Sequence, residues 1–462
     1  MDAVLLIDFG STNTKISAVD IEGECIIGAA TAFTSVDTDI GEGLAEALET
    51  LRKKTGPLTI RRRFACSSAA GGLRMIAAGL VPALTAEAAR LATLGAGARV
   101  IRVFSYGLTD EDIAETAALK PDIFLLAGGT DGGNRDCLLH NAARLAACPA
   151  DFPVIIAGNR NVQKECADMF KNREVIRCPN VMPRLNEINI EPVQEEIRRI
   201  FLERIIHAKG LSRERELISG ILMPTPAAVK QALELLSGGT KKQAGLGELM
   251  AADLGGATTD VYSLAGGLPA GSDTVLKGIS EPFSKRTVEG DIGMRYSARG
   301  VWEAMGAERL AGISGCTAAE LDAWVELLGV HPEKMPETAG EEAMDFALAA
   351  GALETAFIRH AGTLEEVYLP SGPVYMQSGK DLTRVSHLVL TGGALIHSKR
   401  IEELARFTRF EKSRPFSLRP EKTDVYVDAS YIIAAAGLLA ETWPEVSFSI
   451  IKKEMTHYGT AE

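Results

Sequence analysis

Two short segments of this chain set an acid, glycines and small polar side chains in the same order. The first, Asp8-Phe9-Gly10-Ser11-Thr12-Asn13-Thr14-Lys15, follows an apolar run over residues 3–9 and leads into β-rich residues 15–20 and 25–33. In a turn between two strands, glycine and short hydroxyl residues let backbone N–H groups and side-chain oxygens approach phosphate oxygens, and a strand-end acid can hold magnesium through water. Lys15 adds a point charge. No GxxxxGK[ST] pattern is present, so this is not a Walker loop, and taken alone the segment would also suit an ordinary hairpin turn. The second segment, Asp253-Leu254-Gly255-Gly256-Ala257-Thr258-Thr259-Asp260, repeats the design in the other half of the chain. Two copies predict duplicated halves whose hairpins face each other across a phosphate-sized gap. Asp260 is the weaker acid of its segment, because an acid that opens a strand often only accepts backbone amides. A third element, Leu388-Val389-Leu390-Thr391-Gly392-Gly393-Ala394, reads as a strand ending in paired glycines. Such an end lets the backbone lie against a flat adenosine group, and a following helix can turn its N-terminus toward phosphates.

The elements that must position these segments follow from periodicity. Residues 40–54 space Leu44, Leu48 and Leu51 along one helical face, and residues 67–72 form a loop of small residues. From 99 to 183 strands near 100–106, 123–127, 154–157 and 174–176 alternate with helices near 110–119, 136–147 and 160–170, which predicts βαβ units around a parallel sheet. Its strand ends carry Gly128-Gly129-Thr130-Asp131-Gly132-Gly133 and Gly158-Asn159, at the carboxyl edge where open α/β sheets place ligands. A charged helix over 191–209 and a second over 226–236 precede Ser237-Gly238-Gly239-Thr240-Lys241-Lys242-Gln243-Ala244-Gly245, the best linker in the chain. The second half restarts with strands at 249–253 and 259–264, becomes helical from 288 to about 360, and continues after the strand at 388–390 with a helix through 407. A strand at 424–427 and a small-residue helix at 431–439 close it. The expected α/β organisation is a first lobe at 1–98, an inserted α/β block at 99–183, a helical connection and linker at 184–244, and a second lobe at 245–462 with a helical insertion at about 285–345.

Composition narrows the class. The 462 residues carry 46% hydrophobic and 24% charged side chains, which excludes a disordered or fibrous chain. A net charge of -12 disfavours a sequence-independent nucleic-acid binder. The seven cysteines, at 25, 66, 137, 148, 166, 178 and 316, show no CxxC spacing, so reduced thiols in a cytoplasm are expected rather than a disulfide framework. The start carries no cationic leader, and the apolar stretch at 431–440 is far short of the ~20 residues that span a bilayer. Neither nucleic acid nor membrane is expected as a partner. His140, His207, His360, His387 and His397 occur singly, without a ligand constellation, and Trp302 and Trp324 read as packing.

The order of the three motifs resembles the ATPase superfamily of actin, heat-shock chaperones, sugar kinases and acetate kinase, whose two ribonuclease-H-like lobes close around Mg-ATP. That resemblance implies that Asp8, Gly10, Ser11, Thr12, Asn13 and Lys15 cradle phosphate and Mg2+, that Asp253 orients metal or attacking water, and that Gly255, Gly256, Thr258 and Thr259 hold the β and γ phosphates. Gly392, Gly393 and Ala394 would face the adenosine. The stretches with Ala227-Ala228 and Ala434-Ala435-Ala436-Gly437 are similar to the small-residue helices that cross at the hinge of that superfamily.

A closer resemblance covers almost the whole chain. The opening Ile7-Asp8-Phe9-Gly10-Ser11-Thr12, Ser67-Ser68-Ala69-Ala70-Gly71-Gly72-Leu73, Leu126 to Asn134, Asn180-Val181-Met182-Pro183, Thr287-Val288-Glu289-Gly290-Asp291-Ile292-Gly293 and Leu390 to Ala394 are similar to the MutL/GlmL-type accessory proteins of adenosylcobalamin-dependent glutamate mutase, which are unrelated to the mismatch-repair protein. The family implies an ATP-dependent reactivating chaperone that binds ATP and ADP, contacts mutase subunits and releases damaged cobalamin. The block at 99–183 would then either compete with the mutase's own cobalamin-binding subunit, also an open α/β sheet, or simply enlarge one lobe. No tightly bound cobalamin is expected, since no Asp-x-His-x-x-Gly motif occurs. A small-molecule kinase with Asp131 or Asp291 as base is the main alternative. An iron–sulfur dehydratase activator, for which Cys137 and Cys148 or Cys166 and Cys178 lack cluster-like spacing, and a filament-forming ATPase are further ones. Monomer and homodimer both remain open at this stage.

Overall fold

Leu5, Ile7 and Phe9 alternate with Val4 and Leu6, and all five are buried, so the first strand is covered on both faces and belongs in the middle of a sheet. In the computed structural model it does. The structure describes all residues except 1, 11–12, 34–39, 69–72, 209–220, 272, 371 and 462. It divides into two units, Met1–Gln231 with Ala434–Ser447, and Ala232–Ile433 with Phe448–Glu462.

In chain order the first unit contains β1 (Asp2–Phe9), β2 (Asn13–Asp20), β3 (Cys25–Phe33), β4 (Thr59–Ser67), β5 (Arg74–Gly79), β6 (Arg99–Ser105), β7 (Ile123–Leu126), β8 (Val154–Ile156), β9 (Val175–Arg177) and β10 (Ile221–Pro224). One sheet has the order β10-β4-β1-β2-β3. Its first three strands form an antiparallel meander, while β4 and β10 run parallel to β1. The helix Ile40–Thr55 lays Leu44, Ala47 and Leu51 over Leu5, Ile7 and Phe9. A second, wholly parallel sheet of order β6-β5-β7-β8-β9 is inserted between β4 and β10 in the chain. Leu138, Ala142 and Leu145 of the helix Asp136–Ala146 pack on its Ile76, Phe124, Leu126 and Val154.

The second unit holds β11 (Leu249–Leu254), β12 (Thr259–Leu264), β13 (Thr274–Leu276), β14 (Ser284–Glu289), β15 (Thr363–Leu369), β16 (Gly372–Ser378), β17 (His387–Thr391), β18 (Thr423–Val427) and β19 (Thr456–Ala461). The main sheet is ordered β14-β12-β11-β17-β18-β19. Here too an antiparallel meander of three strands is followed by two strands parallel to the first. Both units therefore carry the same 3-2-1-4-5 plan, the ribonuclease-H-like arrangement, and the fold is α/β with two such lobes.

Three boundaries differ from those expected. The inserted sheet takes in β5 at Arg74, ahead of residue 99, because its first strand is only six residues long; the loop expected over 67–72 lies mostly outside the described residues. Residues 285–289 are strand β14, not insertion. Lys285 and Arg286 disguise it, being almost wholly buried but paired with Glu281 and Asp260, and the helices run from Ala298 to His360. The glycine-rich stretch after 237 is no linker. It folds back as a loop tied by Leu246 N–H to Leu236 C=O at 2.9 Å and Thr240 N–H to Gln243 C=O at 2.8 Å, and the units divide earlier, inside the helix Thr225–Gly238.

No helix among the described residues is long and apolar enough to cross a membrane. The small-residue helices do meet: a Cβ on Gly437 would lie 1.9 Å from the Ala228 carbonyl oxygen, both in the first unit. Gly437→Ala should therefore force this crossing apart and cost about 2 kcal/mol or more, read as a fall in the urea midpoint. An unchanged midpoint would show that the crossing does not depend on the glycine.

Candidate functional site

Each lobe closes its first turn with the same hydrogen bond. In the first unit the Gly10 N–H donates to the Asn13 carbonyl at 3.0 Å, and in the second the Gly255 N–H donates to the Thr258 carbonyl at 3.0 Å. A Cβ at Gly10 would lie 2.5 Å from the Asn13 oxygen, and at Gly255 3.0 Å from the Thr258 oxygen, so the turn geometry selects glycine at the first and leaves little room at the second. The registers correspond as well. Asp8 lies opposite Lys15 and Phe9 opposite Thr14; Asp253 lies opposite Asp260 and Leu254 opposite Thr259. Ser11 and Thr12 fall outside the described residues. Asn13, Lys15, Gly256 and Thr258 are half-buried around their turns.

The two acids have different surroundings. Asp8 Oδ1 accepts the Thr225 hydroxyl at 2.6 Å and the Cys66 thiol at 3.4 Å. Burial, and then the Asp8 charge, push the Cys66 thiol well above its ordinary pKa, so it stays protonated and donates. Asp253 lies instead in the field of Tyr431, whose phenol is held above its usual range by burial and then by Asp253 and Asp428. Asp428 is buried, accepts the N–H groups of Ile432 and Ile433, and takes the Thr391 hydroxyl at 3.1 Å. This brings the third motif against the second turn. Gly392 has φ = 105°, and a Cβ there would sit 2.3 Å from the Leu254 carbonyl; a Cβ on Gly393 would meet the Tyr431 hydroxyl at 3.0 Å. Ala394 follows in a one-turn helix, Gly393–Ile396. The long helix expected through 407 is split into that turn and Ile401–Arg406, with Ser398 Oγ accepting the Arg400 N–H at the break. So short a helix has no N-terminal site to offer phosphates.

Below the second turn lies a bracket that spacing alone does not reveal. Met294 and Arg295 N–H groups donate to the Gly255 and Gly256 carbonyls at 3.0 and 2.8 Å, and a Cβ on Gly293 would collide with Ala257. Thr259, fully buried, donates its hydroxyl to Ile292 C=O at 3.0 Å, which sets it beneath the turn. Arg295 is clamped in turn by Asp345 at 2.9 Å, which also accepts the Trp324 indole N–H at 2.9 Å. Burial raises the pKa of Asp345, opposed by Arg295 and Trp324. Asp260 is neutralised by Arg286, Nε to Oδ1 2.7 Å. Asp131 accepts Arg160 N–H and Asn180 Nδ2 within a loop cluster, and Asp291 pairs with Arg359 at 2.7 Å. Neither is presented as an unengaged base.

Each turn thus sets an acid, glycine backbone and an amide or hydroxyl side chain at strand ends, a donor set suited to phosphate oxygens and a hydrated divalent cation. No group of three or more His, Cys, Asp or Glu among the described residues could hold a metal by itself. A family model described as MutL protein matches residues 4–455. Over 457 residues the chain is 47% identical to a curated protein named Protein MutL from Clostridium tetanomorphum, covering 98% of this chain and 99% of that one. The chain belongs to the MutL family. Among solved structures it is distantly similar to a ligand-bound xylulose kinase from Lactobacillus acidophilus, at 10% identity and TM-score 0.38 over 100% of this chain and 93% of the other. The activator of the 2-hydroxyisocaproyl-CoA dehydratase from Clostridium difficile with bound ADPNP matches at 12% and TM-score 0.32, over 98% of each chain. At these values nothing about activity passes to this chain.

Two of the sequence blocks on which the resemblance was drawn pack together. Asn180 Nδ2 donates to Gly129 C=O at 2.9 Å, Asp131 N–H donates to Pro183 C=O at 3.0 Å, and Asn159 Nδ2 reaches Asn134 C=O at 3.1 Å, so the blocks near 126–134 and 180–183 form one cluster. Thr225, Cys66, Asp428, Tyr431 and the Arg295–Asp345 pair were not legible as site residues. Only Thr225-Pro226 carried a signal, as a helix start. Removing one half of the buried pair should be worse than removing both. Asp345→Leu should cost about 3 kcal/mol by stranding Arg295, while Arg295→Met with Asp345→Leu recovers part of the loss; chemical denaturation of the two variants that shows equal losses would dissolve the clamp as an energetic unit.

Proposed function

We propose that this MutL-family chain is an ATP-dependent reactivating factor for an adenosylcobalamin-dependent mutase, glutamate mutase or a related aminomutase, and that it promotes release of damaged cobalamin. The observation that carries the nucleotide part is the repeated turn: one strand-end acid and one glycine N–H bonded to the carbonyl three residues on, at the same place in the same sheet order of each unit. In this reading Gly10, Gly255 and Gly256 offer backbone, Ser11, Thr12, Asn13 and Thr258 offer side chains, and Lys15 offers positive charge to phosphate oxygens. Thr259 supports its turn from beneath. Gly392, Gly393 and Ala394 take the adenosine side. Mg2+ fits the donor set, because Asp8 Oδ2 receives none of the hydrogen bonds found among the described residues, and magnesium is commonly held by one or two carboxylates plus phosphates and waters. When bound, it would neutralise charge on the phosphates. Asp253 would orient the ion or the attacking water. ATP then acts by differential affinity, favouring the conformation that holds an opened mutase.

The decisive experiment mixes purified protein, Mg-ATP and free adenosylcobalamin with an inactivated mutase from the same genome and follows the return of mutase activity. Recovery that requires ATP is expected, and Asp8→Ala or Asp253→Ala should each abolish ATP hydrolysis and recovery with the fold intact. ATP hydrolysis without recovery of any mutase would overturn the chaperone assignment, and wild-type turnover in either variant would remove that acid from the site.

We assign the mutase contact to the carboxyl edge of the inserted parallel sheet. Its strand order, 2-1-3-4-5 in its own numbering, is one of the two common doubly wound orders, in keeping with competition against an open α/β subunit. Tyr106 supports the choice. It is 61% exposed at this edge yet held at φ = 69°, with its N–H on Gly79 C=O at 3.0 Å and its carbonyl taken by Asn141 Nδ2 at 2.9 Å. A bulky residue in that conformation costs energy and persists only where its surroundings over-determine it, which happens chiefly at functional sites. Tyr106→Ala should lower reactivation about tenfold or more, as expected for an aromatic anchor, while ATP hydrolysis is unchanged. Full reactivation by that variant would move the contact elsewhere.

A further inference from the structure

Among the described residues, the carboxylate of Asp8 is held through Oδ1. Oδ1 takes two donors, the Thr225 hydroxyl at 2.6 Å and the Cys66 thiol at 3.4 Å. Two donors on a single oxygen restrain the rotation of the carboxylate and leave Oδ2 to other partners. The Thr225 bond is the stronger of the two, a short hydroxyl-to-carboxylate contact of the charge-assisted kind, whereas a thiol is a weak donor.

Thr225 has no sequence neighbour in the first hairpin. It is brought there by β10, which pairs with β4 through Met223 opposite Cys66, as β4 pairs with β1 through Cys66 opposite Asp8. Asp8, Cys66 and Met223 therefore stand in one row across three strands, and Thr225 caps that row from the first position of the helix Thr225–Gly238. Within this same helix the chain leaves the first unit, at Gln231. In the second unit the corresponding row places Thr391 opposite Asp253, and the Thr391 hydroxyl goes to Asp428.

We infer that Thr225 is the positioning residue for Asp8, orienting its carboxylate so that Oδ2 meets the magnesium that accompanies ATP. The inference rests on the proposed nucleotide reading of the two turns and adds which residue sets the metal dependence. Outer partners of metal-ligating groups typically change metal affinity by 10–100-fold when removed. Thr225 touches neither the metal nor the nucleotide in this scheme, so its loss should change the benefit of magnesium and spare the binding of metal-free ATP.

The test measures ATP binding by calorimetry to the full chain with excess EDTA and with magnesium titrated in, for wild type, Thr225→Val, Thr225→Ala and Thr225→Ser. The valine keeps the shape and removes the hydroxyl; the alanine serves if the valine does not fold. The expected result is a roughly tenfold loss of the magnesium-dependent gain in affinity for valine or alanine, unchanged binding in EDTA, and recovery by serine. A variant lacking the hydroxyl but showing the wild-type magnesium response overturns the inference, as does equal weakening with and without magnesium or a serine that behaves like valine. Wild-type protein that binds no ATP under either condition would instead overturn the nucleotide reading itself, and the inference with it.

Discussion

The fold turns on a glycine N–H that must reach the carbonyl three residues ahead of it. That bond closes the first hairpin of each lobe, at Gly10 to Asn13 and at Gly255 to Thr258, and it is compatible only with a turn in which the backbone passes closer to itself than a side chain comfortably allows. Everything else in each lobe is arranged to hold such a turn open at the end of a buried strand. In the first unit, β1 is sandwiched by apolar side chains on both faces, so its terminal acid cannot drift. In the second, the two-glycine turn is bracketed from below by Gly293, Met294 and Arg295, and the backbone bonds of the last two to Gly255 and Gly256 hold it in place.

The duplication is accurate in backbone and loose in side chains. Both lobes repeat the strand order and the cross-strand register of the hairpin, but Lys15 of one corresponds to Asp260 of the other, and that acid is already neutralised by the buried Arg286. Asp8 is gripped by a hydroxyl and a thiol, whereas Asp253 lies near a tyrosine. Equivalent positions thus have inequivalent electrostatics on a shared scaffold. The clamp of Arg295 by Asp345 also ties the second turn to the helical insertion, since Asp345 lies on the helix Ala339–His360 and Trp324 on Ala318–Val330. A shift of that turn cannot occur without disturbing a buried ion pair.

Much of this was readable in the chain. Both hairpins, the glycine pair at 392–393, the alternating strands and helices of the inserted block and the small-residue helices all follow from short-range patterns, and such patterns are reliable when the deciding contacts lie within a turn or along one helical face. The errors have a common origin. Strand β14 looked like the edge of an insertion because Lys285 and Arg286 are charged, and their burial depends on Glu281 and on Asp260, the latter 26 residues away in the neighbouring strand. The loop after Ser237 looked like a linker because it is rich in glycine, yet those glycines serve a tight hydrogen-bonded return.

The sequence by itself determined where the turns are, that two of them are copies, and which family the chain resembles, because glycine, acid and hydroxyl residues at fixed offsets constrain the backbone locally. Only the tertiary structure decided what surrounds each acid. Thr225 lies 217 residues from Asp8, and Asp428 lies 37 from the Thr391 it holds. Such partners are chosen by which strands pair and in what register, a matter of burying whole apolar faces together, and no local spacing encodes it.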